Sequence, residues 1–122
     1  YLLAIQTLDY DIAGAGWIGD FIDPLTFLEI WSPGNGNNNT GWDNPEFVAE
    51  LEKSFKVTDP AERYEFLRAA EAILLKEAPI APIGWRGRNY LVHPSVQGWY
   101  PLLLAGNPYN SIRLVPQEPK RK

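Results

Sequence analysis

The chain has 122 residues with a formal net charge of −4, one histidine and no cysteine. That length suits one domain with a modest core, burying roughly 65% of the unfolded surface. The acidic balance, with Lys120-Arg121-Lys122 the sole basic run, argues against a nucleic-acid partner, and the absence of cysteine excludes disulfides, a thiol nucleophile and a thiolate metal site.

Tyr1–Leu8 reads as the end of a helix, with Leu2, Leu3 and Ile5 apolar. It leads into a predicted buried strand, Tyr10–Ala15, carried by Tyr10, Ile12, Ala13 and Ala15. Gly14, Gly16 and Gly19 remove side chains where a ligand backbone needs close approach, and they flank the large rigid surface of Trp17. Asp20 adds a carboxylate suited to a cationic ligand end, just before Asp23-Pro24, a cap and first-turn start for a helix over Leu25–Trp31. Leu25 and Leu28, with Phe27 and Trp31, are the inward candidates there, and Ser32-Pro33-Gly34 ends the helix.

The run Gly34–Trp42 is rich in residues that tolerate left-handed backbone, and it reads either as a surface loop or as a ligand contact. Asn44 then caps a helix with Pro45 at its first position, and Phe47, Val48, Leu51 and Phe55 form its apolar stripe. Asp59-Pro60-Ala61-Glu62 opens a long helix to about Glu77, with Tyr64, Leu67, Ala70 and Leu74 on one face. Ile80–Trp85, Asn89–Val92 and Tyr109–Val115 are strand-like runs. No stretch approaches the ~18 apolar residues of a membrane span, and the opening YLLAIQTL has no basic leader region.

The chemical motifs point to binding rather than turnover. Asp9, Asp11, Asp20 and Asp23 crowd one span, yet Asp23 is committed to a cap and spacing fixes no distance between carboxyls. There is no G-x-S-x-G, and His93 precedes Pro94 in a turn, a structural position. A lone histidine with scattered aspartates is no metal set. Gly14 to Gly19 satisfies G-x-G-x-x-G literally, but no helix opens at those glycines. Trp17 and Asp20 alone fit either a ligand site or a buried indole beside a capped loop.

Ala15-Gly16-Trp17, Asp20, Asp23-Pro24 and Phe27-Leu28 form the pattern A-G-W-x-x-D-x-x-D-P-x-x-F-L. With GWDNPEF (Gly41–Phe47), the run Asp59–Ile83, NYLVHPSVQGWYP (Asn89–Pro101) and Asn110–Val115, it resembles the family 5 extracellular solute-binding proteins, the oligopeptide- and dipeptide-binding components of bacterial ABC importers. The resemblance implies an α/β fragment, the C-terminal part of one lobe of a two-lobed, hinged periplasmic-binding-protein-like (Venus flytrap) fold. Residues 1–90 would belong to the ligand lobe, 91–115 would return to the other lobe, and 116–122 would be a flexible tail.

By the same resemblance Gly16 and Ile18 pair through their backbone with an extended peptide beside Trp17, and Asp20 takes the peptide α-ammonium. Trp85 and Arg86 join them as ligand-binding candidates. Many oligopeptide binders carry an arginine before A-G-W as counter-ion to the peptide carboxylate; this chain has Gly14 there, so Arg86 or Arg88 becomes the candidate cation. The implied protein is a binder, not an enzyme, with neither cofactor nor metal. Its implied partners are a peptide or other small solute and the ABC permease, in a periplasmic or extracellular setting. The chain itself is expected either to form a homo-oligomer or to pair with the remainder of a parent protein. A self-associating interaction module without solute binding is the alternative reading.

Overall fold

The computed structural model describes residues 1–102 and 109–116. The chain divides into two units, Tyr1–Ile83 and Gly84–Lys122. In the first, α1 spans Leu2–Gln6, α2 Leu25–Leu28 with a 3-10 turn Glu29–Trp31, α3 Pro45–Ser54 and α4 Pro60–Glu77. In the second, β1 (Val96–Gln97) pairs with β2 (Arg113–Leu114), preceded by a 3-10 turn, Tyr109–Ser111. Among the described residues no helix is long and apolar enough to cross a membrane.

The two longer helices start where their caps predict. Asn44 Oδ1 accepts the backbone N–H groups of Glu46 at 2.8 Å and Phe47 at 3.0 Å, and Asp59 Oδ1 accepts that of Glu62 at 2.9 Å. These side chains satisfy donors that the first turn of a helix leaves unpaired, and Pro45 and Pro60 occupy the position where no donor is needed. Helix α4 ends on Ala78, left-handed at φ 53°, whose N–H reaches Leu74 O at 3.0 Å.

The core lies between α2, α3 and α4 and consists of Leu25, Leu28, Phe47, Leu51, Leu67, Ala70 and Leu74. Trp31, Trp42, Val48, Ile73 and Ile80 pack around it. Phe47 is 0% exposed and meets Trp42 edge-on, ring centroids 5.0 Å apart. Glu77, at the end of α4, accepts from Asn44 Nδ2 and Trp42 Nε1 at the start of α3, each at 2.7 Å. Near the other end, Lys53 of α3 lies 5.9 Å from the ring centre of Phe66 on α4. The two helices therefore run antiparallel.

The Asn-rich loop has a structural task. Asn38 Nδ2 donates to Trp31 O at 2.9 Å and Trp42 O at 3.0 Å, while Asn35 Nδ2 donates to Glu29 O at 3.1 Å. These side chains tie the loop to carbonyls of the 3-10 turn on one side and of Trp42, just before α3, on the other.

Several predicted features differ. Tyr10–Ala15 forms no strand, and Ile12 is 94% exposed. Alternation makes a strand only where a neighbour supplies a ladder, and no described residue does so here. Ile80–Trp85 and Asn89–Val92 likewise carry no ladder. The predicted strand Tyr109–Val115 shortens to Arg113–Leu114, and its partner, Val96–Gln97, lies in a stretch with no strand pattern. Phe55 is 62% exposed because α3 stops at Ser54, whose hydroxyl turns inward onto Leu51 O at 2.7 Å. Tyr64 is exposed as well, one turn before the buried Leu67, Ala70 and Leu74.

In the second unit, Val115 N–H donates to Ser95 O at 2.8 Å, and Arg113 Nη2 reaches Gln97 Oε1 across the strands at 3.0 Å. Gly98 has φ +78°, and a Cβ on it would stand 2.0 Å from Ser111 O, so the chain crosses there only as glycine.

Candidate functional site

The stretch Tyr10–Asp23 runs without helix or ladder over the first unit, and side chains pin it at intervals. Tyr1 Oη donates to Gly14 O, and Tyr10 Oη donates to Asn39 O. Between these anchors and Asp20, no described residue hydrogen-bonds the backbone of residues 15–18. Nothing lies within 4 Å of where a Cβ on Gly14 or Gly16 would sit. The main chain is open to an incoming partner along this run.

Trp17 is partly buried, and its indole Nε1 is fully covered with no hydrogen-bond partner among the described residues. A buried indole donor without an acceptor is costly, so the chemistry favours an acceptor at that point. Ile18 is exposed. Gly19 is pressed against the protein: a Cβ would stand 3.0 Å from Thr26 Cγ2 and 3.3 Å from Phe27 Cζ.

Asp20 donates its backbone N–H to Thr26 Oγ1 at 3.0 Å, while its carboxylate is exposed and has no partner among the described residues. Asp23 behaves otherwise. Its Oδ1 accepts from Leu25 N–H at 2.9 Å and from Arg63 Nη2 at 3.0 Å, and its Oδ2 meets Arg63 Nη1 at 2.6 Å. The two carboxylates therefore differ in setting: that of Asp20 has no partner among the described residues, and that of Asp23 anchors the stretch to α4.

The Arg63 hydrogen bonds are the main reason the Asp23 carboxyl is held below the ordinary carboxylate range; burial opposes them, and the Leu25 N–H and the Arg63 charge reinforce them. Because the folded value is depressed, the pair contributes stability above the unfolded value of about 3.9 and loses it as pH falls through the folded value. Both side chains are about a quarter exposed, at 23% and 24%, so solvent screening limits the pair to about 1 kcal/mol. Urea unfolding should show Asp23→Asn less stable than wild type by that amount at neutral pH. The gap should close below about pH 4; a gap unchanged at low pH would show that the ion pair is not its source.

Gly16, Trp17, Ile18 and Asp20 thus fall together on one short stretch of the first unit. Trp85, 89% exposed, and the exposed Arg86 fall in the second unit. His93 sits in its turn as expected, with Nδ1 accepting from Ser95 N–H at 3.2 Å. Among the described residues no group of three or more His, Asp or Glu side chains gathers to hold a metal ion. Sequence reasoning missed Thr26 and Arg63. Thr26 carries no local signal, and Arg63 meets Asp23 across 40 positions.

No family model matches the chain. Individual relatives do. Over 99 residues it is 48% identical to the "Oligopeptide-binding protein OppA" of Bacillus subtilis, covering 80% of this chain and 18% of that protein. It is 30% identical to the "Dipeptide-binding protein DppE" of the same organism, covering 76% and 17%, and 31% identical to the "Periplasmic murein peptide-binding protein MppA" of Escherichia coli, covering 84% and 19%. The chain therefore spans less than a fifth of the length of each. These matches cover between 76% and 84% of the chain, and by them the chain belongs to the family 5 extracellular solute-binding proteins.

Proposed function

We propose that this chain contributes part of the ligand lobe of a two-lobed extracytoplasmic receptor that captures short peptides for ABC-type import. The observation that supports this most is one stretch carrying both an unpaired main chain at residues 15–18 and an unpaired carboxylate at Asp20. An extended peptide laid along Gly16 and Ile18 gains main-chain hydrogen bonds that do not depend on its side chains, and Asp20 sets its register by taking the α-ammonium. Trp17 offers a rigid face. Trp85 and Arg86 complete the proposed contact set, with residues 1–90 in the ligand lobe, 91–115 returning to the other lobe and 116–122 as a tail. The partners are the peptide and the permease, the setting periplasmic or cell-surface, and the work is binding without a chemical step.

Calorimetry with a pool of short unblocked peptides on the full-length protein tests this. Unblocked peptides should bind. Because Gly14 stands where oligopeptide binders carry arginine, amidating the peptide C-terminus should change affinity by less than tenfold, about 1.4 kcal/mol. Absence of binding to any unblocked peptide would remove the reading. The self-association reading draws on the bare side chains of Ile12, Ile83 and Leu91; a full-length protein that is monomeric by light scattering and holds peptide would exclude it.

A further inference from the structure

Gly19–Asp23 bends without helix or ladder, with one backbone hydrogen bond of its own, Asp23 N–H to Phe21 O at 3.1 Å, and side chains outside it hold its two ends. At one end stands Thr26, 1% exposed, whose hydroxyl accepts the Asp20 N–H at 3.0 Å and whose methyl fills the space beside Gly19. Removing this hydroxyl would take away the protein acceptor of the Asp20 N–H. At the other end Arg63, on α4, grips both oxygens of Asp23 at 2.6 and 3.0 Å. This two-point planar contact fixes direction as well as distance, which a lysine does not reproduce. Between the two anchors, the Asp20 carboxylate has no described partner to hold it.

We infer that Thr26 and Arg63 are positioning residues that place the Asp20 carboxylate and thereby set the preference for a ligand with a free cationic end. The inference rests on the proposed role of Asp20. A carboxylate selects an ammonium over a neutral amide only if it stands where the ammonium arrives, and a segment without regular structure keeps that position through its anchors.

The test uses the full-length protein, a pool of short unblocked peptides and the same pool N-acetylated, with the bound fraction read by mass spectrometry. Amide hydrogen exchange across Gly19–Asp23 is measured in parallel. Thr26→Val and Arg63→Met should each speed exchange at Asp20 by about tenfold or more and cut the preference for unblocked peptides by about tenfold or more. Thr26→Ser, which restores the hydroxyl, should return both to wild type. Variants that are less stable yet keep the preference, with both pools weakened alike, would overturn the inference, as would unchanged exchange. If wild type binds neither pool, the ligand role of Asp20 fails and the selectivity claim with it, while exchange still decides whether the two residues anchor the segment.

Discussion

Alanine at Phe47 should destabilise the first unit by about 3–5 kcal/mol, the range for emptying a fully buried aromatic site. Phe47 is 0% exposed, joins the core of α2, α3 and α4, and is the residue against which Trp42 packs edge-on. Loss of its ring removes both the transferred apolar area and the contacts on its rim, and the caps of α3 hold the backbone so that the cavity cannot collapse fully. Against a typical stability of 5–15 kcal/mol such a loss leaves a marginal fold. Urea unfolding followed by circular dichroism gives the number. Phe55→Ala is the matched control: at 62% exposure it should stay within about 0.5 kcal/mol of wild type. Equal losses at the two positions would mean that the core is misplaced.

The second large effect concerns affinity. In the full-length protein, Asp20→Ala should weaken binding of an unblocked peptide by about 2–5 kcal/mol, since it leaves a desolvated ammonium unpaired. Acetylating the peptide amine should cost wild type a similar amount and the variant little more, because both changes delete the same contact. Additive losses in calorimetry would show that the amine and Asp20 do not meet. The exposed carboxylate carries no structural bond of its own, so the variant should keep wild-type stability.

The helices were legible because their signals are local. Asn44-Pro45 and Asp59-Pro60 announce α3 and α4 through groups two or three positions away, and the positions of Leu67, Ala70 and Leu74 follow from helical spacing. Strands are different, since alternation at Tyr10–Ala15 says that a run can pair and not that anything pairs with it. Phe55 failed for a related reason: periodicity extends past the residue where a helix stops. At the site, glycines beside Trp17 and an aspartate before Asp-Pro suggested a ligand contact, whereas Thr26 meets Asp20 through a local bond that no sequence signal marks and Arg63 meets Asp23 only once α4 has packed. The asparagine loop showed its turn tendency but not its side-chain bonds to the carbonyls of Glu29 and Trp31 behind it and Trp42 ahead of it.

Glu77 occupies an electrostatically poor place, a carboxylate at the negative end of a helix, and keeps it through two donors from residues 42 and 44. The side chains at the two ends of the stretch Asn44 to Glu77 thereby meet, a noncovalent ring closed across 33 positions. Its two helices follow each other directly in the chain and both carry their own start signals, the combination that lets a segment order early at small entropic cost. The amides of this ring should therefore be the slowest to exchange in the first unit and open together, while the stretch Tyr10–Asp23, without helix or ladder, should open on its own at far lower free energy.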